Sequence, residues 1–328
     1  MVYKTEIDAA THVSNVIANN KELDIAVLIA GFPINMDSFV NLIFTIHPEL
    51  IACIDNISMQ AVSLGTWNEV TFHVSYTDVM PSAVAVIDQV DYLYEVMLRD
   101  VQLHRRYSII AFPNTLEDQI RLAIEKITEI PKFLFFFIHG TMMSTRRRNR
   151  CDWMVFQVKY IYSCGYADSR LRSSQAMQAV NEIVQLSKAN GNEDWKKALF
   201  VVKHCVENWS YGKVDDLPGL EFSAYGALVN HTAVCMGISL AICAIFSELG
   251  IPCRYIRGVR NEVGHAWNLV FLRGGWFYLD VTDAIVQRDP FYQWGMTELI
   301  DRTTSNQIDV TLKCNCPVPF LRRMNVTG

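Results

Sequence analysis

A chain of 328 residues is long enough for one large domain or two ordinary ones. With 51% hydrophobic and 19% charged residues, it has the make-up of a globular protein with a sizeable core, which excludes a disordered chain. A net charge of −5 gives no electrostatic reason to expect nucleic acid or an anionic membrane as a partner.

The N-terminus, "MVYKTEIDAATHVSNVIANN", lacks the apolar segment of a secretory leader, so a cytoplasmic location is expected. The apolar runs "IAVLIAGF" and "FLFFFI" are too short to span a bilayer. They are expected to be buried strands, with no membrane insertion. Two stretches resemble each other. About residues 22–76 contain "ELDIAVLIAGFP", "MDSFVNLIFTIHPELIACID", "WNEVTFHVSY", and residues 105–160 contain "RRYSIIAFP", "LEDQIRLAIEKITEIPKFLFFFIHG", "WMVFQVKY". Phe32-Pro33 answers Phe112-Pro113, Pro48 answers Pro131, and Tyr76 answers Tyr160. An offset that holds over such a length marks an internal repeat. Each copy reads as a strand, a helix stopped by a proline, and two strands, the last alternating. A helical segment follows each copy, "PSAVAVIDQVDYLYEVML" and "SSQAMQAVNEIVQLSKA". Neither copy clusters His, Asp or Cys, so a scaffold or substrate-docking role is expected. The basic run "TRRRNR" (Thr145 to Arg150) reads as a solvated loop tip.

From Ser173 the pattern changes to long helices, then to a loop, then to "NHTAVCMGISLAICAIFSELGIPC" (Asn230 to Cys253). The nine cysteines are odd in number and form no C-x-x-C pair, which fits a reducing compartment rather than a disulfide framework. The lone C-x-C, Cys314-Asn-Cys316, has no second pair to complete a zinc site. No metal and no cofactor are expected.

Val234 to Leu249 is apolar almost all round, so its helix should be buried. Thr232 or Asn230 is expected to cap it, and Gly250 with Pro252 to stop it. Cys235 then falls in the first turn, where the helix dipole favours a thiolate. Cys243 and Cys253 lack that advantage and read as core. A reactive thiol needs a base, and the base an orienting partner. "GHAWNLVFLRGGWFYLDVTD" reads as a β-hairpin with His265 opening one strand and Asp280 closing the other. A turn on Arg273-Gly274 pairs Asp280 with Trp267 and puts His265 on its diagonal, within reach of a hydrogen bond. A turn on Gly274-Gly275 pairs Asp280 with Leu269 and separates the two. Taken singly, each residue has a plain reading as core, surface or turn; the three together point to nucleophilic chemistry.

At "AYGALVNHTAVCMGISLAICAIFSELGIPCRYIRG" and "HAWNLVFLRGGWFYLDVT" the chain resembles the transglutaminase-like superfamily of papain-type enzymes, especially its bacterial members. The resemblance covers about residues 175–283. It departs from the usual pattern at Gly237-Ile238 and at Val281-Thr282-Asp283, which bear on pocket shape. It implies an α+β fold, a papain-like or transglutaminase-like core with the nucleophile helix on an antiparallel sheet, preceded by the duplicated α/β region. The expected domains are residues 1–165 and 166–328. It also implies Cys235 as nucleophile, His265 as base and Asp280 as orienter, with a thioester intermediate. Tyr225 and Trp267 are expected at the oxyanion and substrate pocket. Water as acyl acceptor gives a peptidase or amidase acting on a peptide or protein, the preferred reading, and a lysine amine gives a transglutaminase. With no D-x-D-x-D-G loop, calcium gating is disfavoured. A binding module that keeps the fold without catalysis is the rival from another class. Oligomeric state has no sequence signal.

Overall fold

The computed structural model describes residues 2–20, 23–30, 34–127, 130–212, 219–260, 262–292 and 302–304. The chain divides into two compact units, one of Met1–Thr128 with Gly140–Ile161, the other of Glu129–His139 with Tyr162–Gly328. Among the described residues no helix is long and apolar enough to cross a membrane.

The first unit opens with β1 (Val2–Tyr3), α1 (Glu6–Asn20), β2 (Asp24–Ala30), α2 (Met36–Ile46), α3 (Leu50–Cys53), β3 (Ile54–Ser63) and β4 (Trp67–Tyr76). It continues with β5 (Val84–Val86), α4 (Asp91–Gln102), β6 (Tyr107–Pro113) and α5 (Glu117–Lys126), and closes with β7 (Ile138–Arg147) and β8 (Trp153–Tyr162). Two four-stranded sheets result, ordered β1-β2-β4-β3 and β5-β6-β8-β7. In each the short first strand is parallel to the second, and the second is antiparallel to the third. The segment 84–102, expected to trail the first copy, therefore stands where β1 and α1 stand in the first sheet. Strands of two and three residues are too short for a period of two to show in sequence. Of the paired residues, Phe32 and Pro33 lie outside the described residues.

Local chemistry explains the elements. The side chain of Asn35 accepts from the Ser38 N–H at the start of α2, and α2 buries Phe39, Ile43 and Phe44 on one face. Val70, Phe72 and Val74 alternate inward on β4, with Phe72 packed on Phe39 at 5.0 Å between ring centres. The same core takes in Ile109, Ala111 and Val155, so both sheets of the unit share it. The arginine run is not a solvated tip. Arg146 and Arg148 donate to the Ile54 carbonyl, Arg150 pairs with Asp37, and Arg147 with Glu117. Guanidinium forks reach backbone oxygen at the start of β3, which a composition-based reading of a basic run overlooks.

The second unit contains α6 (Pro131–Phe135), α7 (Tyr166–Ala189), α8 (Asp194–Asn208), β9 (Ser210–Tyr211), α9 (Ala224–Leu228), β10 (Thr232–Ala233), α10 (Cys235–Glu248), β11 (Cys253–Arg260), β12 (Val263–Leu272), β13 (Gly275–Leu279), α11 (Val281–Gln287) and β14 (Arg302–Thr304). "FLFFFI" is thus a helical turn rather than a strand as far as Phe135. Pro131 supplies a ready-made helical φ at its first position, so the proline begins a short helix here as well as ending the one before it. Buried α10 packs on α7, on α9 and on the sheet β13-β12-β11-β14. Its end is closed as expected. Gly250 takes φ 71°, its N–H reaches the Ser247 carbonyl, and the Ile251 N–H reaches that of Phe246 at 2.9 Å, which is a Schellman closure. The fold is α+β.

Candidate active site

Cys235 is the first residue of α10. The cap is not supplied by Thr232 or Asn230. Thr232 belongs to β10, paired in parallel with Ser210, and the capping position falls on Val234, which has no side-chain acceptor. The first-turn N–H groups of a helix lack intrahelical acceptors, so this turn keeps its positive end for other negative groups. The segment before it comes in very close. A Cβ on Gly237 would lie 2.5 Å from the Glu221 carbonyl oxygen and 2.6 Å from that of Ser223, and the Val234 N–H donates to Glu221. Only glycine at the third helical position admits this approach.

The hairpin takes the register that brings the other two residues together. Leu272 pairs with Gly275 and Asn268 with Leu279, so the turn is Arg273-Gly274. Both residues have positive φ, 49° and 81°, as a type I′ turn requires. β13 stops at Leu279, short of the Val281 expected, because Asp280 caps α11: its Oδ1 accepts from the Asp283 N–H at 3.2 Å. The other carboxylate oxygen lies 2.7 Å from Nε2 of His265. Asp280 is 1% exposed. With Nε2 engaged, Nδ1 is the nitrogen left for the sulfur.

Electrostatics follows from this packing. Burial pushes the Cys235 thiol up, but hydrogen bonding and charge from His265, with the N–H groups of Ala266 and Met236, outweigh it and bring the thiol below its ordinary value. Burial also acts to lower His265. Its hydrogen bonds to Asp280 and Cys235, and their charges, win and raise it to about 9. The two shifts favour a thiolate beside an imidazolium near neutral pH.

Trp267 is 1% exposed and stacks on His265 with ring centres 5.8 Å apart. It backs the imidazole. Tyr225 lies on α9, which packs on α10. Its hydroxyl donates to Gln175 at 3.2 Å, and its ring lies near Phe137 and Arg172. A hydroxyl's aim depends on packing between helices, which spacing along the chain does not encode. The residue that sequence reasoning missed is Tyr211. It is half exposed on β9, its pKa is raised first by burial and further by charge on Cys235 and Asp280, and it lies within electrostatic reach of both. A two-residue strand gave no signal for it. Tyr255 on β11 is raised likewise, by burial and then by Cys235 and Cys243.

Cys243 and Cys253 lie together, 3.7 Å between sulfurs, and the Asn268 amide donates to Cys243 and to the Ser239 carbonyl. Burial pushes Cys253 well above the usual thiol range. Cys314 and Cys316 lie outside the described residues. Among those described, no three His, Cys, Asp or Glu side chains gather as for a metal.

Residues 178–281 match the family model of the transglutaminase-like superfamily, a span that contains all three residues of the site. This segment is transglutaminase-like. No curated protein matches the chain. Among solved structures, a TGase aligns at 13% identity with a TM-score of 0.29, over 64% of this chain and 62% of its own. A candidate cysteine protease from Cytophaga hutchinsonii aligns at 13% and 0.28, over 51% of this chain and 73% of its own. A candidate protease from Parabacteroides distasonis aligns at 11% and 0.27, over 78% of this chain and 39% of its own. Outside the matched residues lie the first unit and, in the second, residues 129–139, 162–177 and those from 282 onward.

Proposed function

We propose that the protein is a cysteine-nucleophile acyl-transfer enzyme acting on a peptide or protein amide, most simply a hydrolase. The observation that carries the reading is Cys235 in the uncapped first turn of α10, hydrogen-bonded to His265, whose far nitrogen is held by Asp280 at 2.7 Å. The match of residues 178–281 supports it. The Cys235 thiolate attacks the amide carbonyl carbon, a C–S bond forms, and the carbonyl electrons move to oxygen. The N–H groups of the first turn face that charge. The His265 imidazolium gives its Nδ1 proton to the departing nitrogen as the C–N bond breaks, leaving a thioester and a neutral imidazole. Water, losing a proton to that imidazole, attacks the thioester and restores the thiolate. A primary amine in place of water gives transamidation through the same intermediate. The duplicated first unit is read as the scaffold or docking region for the substrate.

The pH profile follows from the two shifts. Below the lowered Cys235 value the thiolate is protonated. Above about 9, His265 loses the proton that the leaving group needs. Acylation should therefore be bell-shaped in pH, with its alkaline limb near 9. The test is iodoacetamide labelling across pH, followed by a peptide-library cleavage screen with and without an added primary amine. Cys235 is expected to alkylate far faster than the other cysteines at pH 6 to 7. Uniformly slow labelling with no acyl transfer favours the non-catalytic module, and acyl transfer unchanged in Cys235→Ala removes Cys235 as the nucleophile. Amine incorporation that outruns cleavage moves the assignment to transglutaminase.

A further inference from the structure

Asp280 carries two tasks with one carboxylate, and its neighbourhood is built to keep them compatible. Oδ2 holds His265, while Oδ1 caps α11 by accepting the Asp283 N–H at 3.2 Å. The aim of the carboxylate therefore depends on where the third residue of α11 sits. That residue, Asp283, is itself buried, at 7% exposure, and its carboxylate is held by Arg260 at the end of β11. A buried aspartate three positions from another is costly unless paired. Its pairing reaches back to the strand next to the one that carries His265, since Gly258 on β11 stands opposite His265 on β12.

We infer that the Arg260–Asp283 ion pair is a positioning device for the proposed catalytic site: it pins the first turn of α11 to β11 and thereby aims Asp280 at His265. This inference rests on the proposed acyl-transfer reading. In this reading Arg260 and Asp283 act through Asp280 and take no part in the chemistry themselves. The groups in electrostatic reach of the site are Cys235 on α10, Asp280 at the start of α11, Tyr211 on β9, and Tyr255, itself beside Arg257, on β11. When the pair is broken, the α11 turn relaxes and the hydrogen bond from His265 to Asp280 weakens. The imidazolium loses its stabilisation, and with it the thiolate.

The test uses the full-length protein and two readouts, the acid limb of Cys235 alkylation by iodoacetamide and the titration of His265 by NMR. In Arg260→Gln the histidine titration is expected to fall by about one unit and the acid limb of alkylation to rise by a similar amount, with the rate at pH 6 down roughly tenfold. Arg260→Lys, which keeps the charge, should restore most of both. Asp283→Asn preserves the backbone N–H that Asp280 caps and should give the same shifts on a smaller scale, so a poorly folding Arg260→Gln leaves the question answerable. If wild-type protein shows no fast low-pH alkylation at Cys235, the acyl-transfer reading itself is wrong. If wild-type shows it and neither Arg260→Gln nor Asp283→Asn moves either titration, the positioning role is overturned and the pair only stabilises the fold.

Discussion

Asp280 shows how one side chain can couple folding to chemistry. Its Oδ1 satisfies a helix N–H and its Oδ2 a ring nitrogen, so different substitutions should separate the two tasks. Asparagine keeps an acceptor for the Asp283 N–H, but its amide then faces Nε2 with a donor. That forces the tautomer with the proton on Nδ1, the nitrogen that must receive it from the thiol. Asp280→Asn is expected to leave the thermal midpoint almost unchanged and to slow Cys235 alkylation at pH 6 by roughly a hundredfold or more. Asp280→Ala loses the cap as well, and should unfold with about 1 kcal/mol less stability. Equal thermal midpoints for the two variants would show that the cap contributes nothing. Equal reactivity of Asp280→Asn and wild type would remove the orienting role.

Among the elements, α10 and the hairpin carry the site for reasons of different visibility in the sequence. The start of α10, its glycine closure and the reach from His265 to Asp280 are local matters of periodicity and turn chemistry, so Cys235, His265 and Asp280 could be picked out from spacing. What lay beyond reach was set by pairing between distant segments. Thr232 is spent on β10, Tyr225 on Gln175, and Asp283 on Arg260. None of these partners is a near neighbour along the chain. Gly237 belongs to this class too, since its need arises from the carbonyls of Glu221 and Ser223. Alanine there would gain up to about 1 kcal/mol in helix propensity. Against that, a methyl group set 2.5 and 2.6 Å from two backbone oxygens has no flexible side chain to push aside. Overpacking of this kind costs about 1–3 kcal/mol, so the clash should win. Gly237→Ala is expected to lower the urea midpoint at unchanged slope and to slow Cys235 labelling, because the first turn of α10 must shift. A variant as stable and as reactive as wild type would mean that the Glu221–Ser223 segment yields freely.

At the scale of the whole chain, the internal repeat suggests a division near residue 165, and the compact units are Met1–Thr128 with Gly140–Ile161 and Glu129–His139 with Tyr162–Gly328. The repeat signal was strong because helices and long strands recur at a near-constant offset, yet it could not reveal that Glu129–His139, inside the second copy, packs with the second unit. α6 sits against α10, and Phe133 and Phe135 are buried at 0% and 5% exposure. The Ser163 N–H, just beyond β8, donates to the Phe137 carbonyl at 2.9 Å. A fragment of residues 162–328 therefore keeps Cys235, His265 and Asp280 but leaves part of the apolar surface of α10 uncovered. Burying two phenylalanines is worth on the order of 4 kcal/mol as an upper figure, a large fraction of the 5–15 kcal/mol typical of a domain. The fragment should bind a hydrophobic dye, unfold at markedly lower urea than the same unit in the intact chain, and lose the fast low-pH labelling of Cys235. A second fragment carrying residues 129–139 joined through a flexible linker ahead of residue 162 should recover both stability and labelling. Full reactivity in the fragment lacking residues 129–139 would show that the nucleophile helix is held by its own sheet and by α7 and α9 without help from α6.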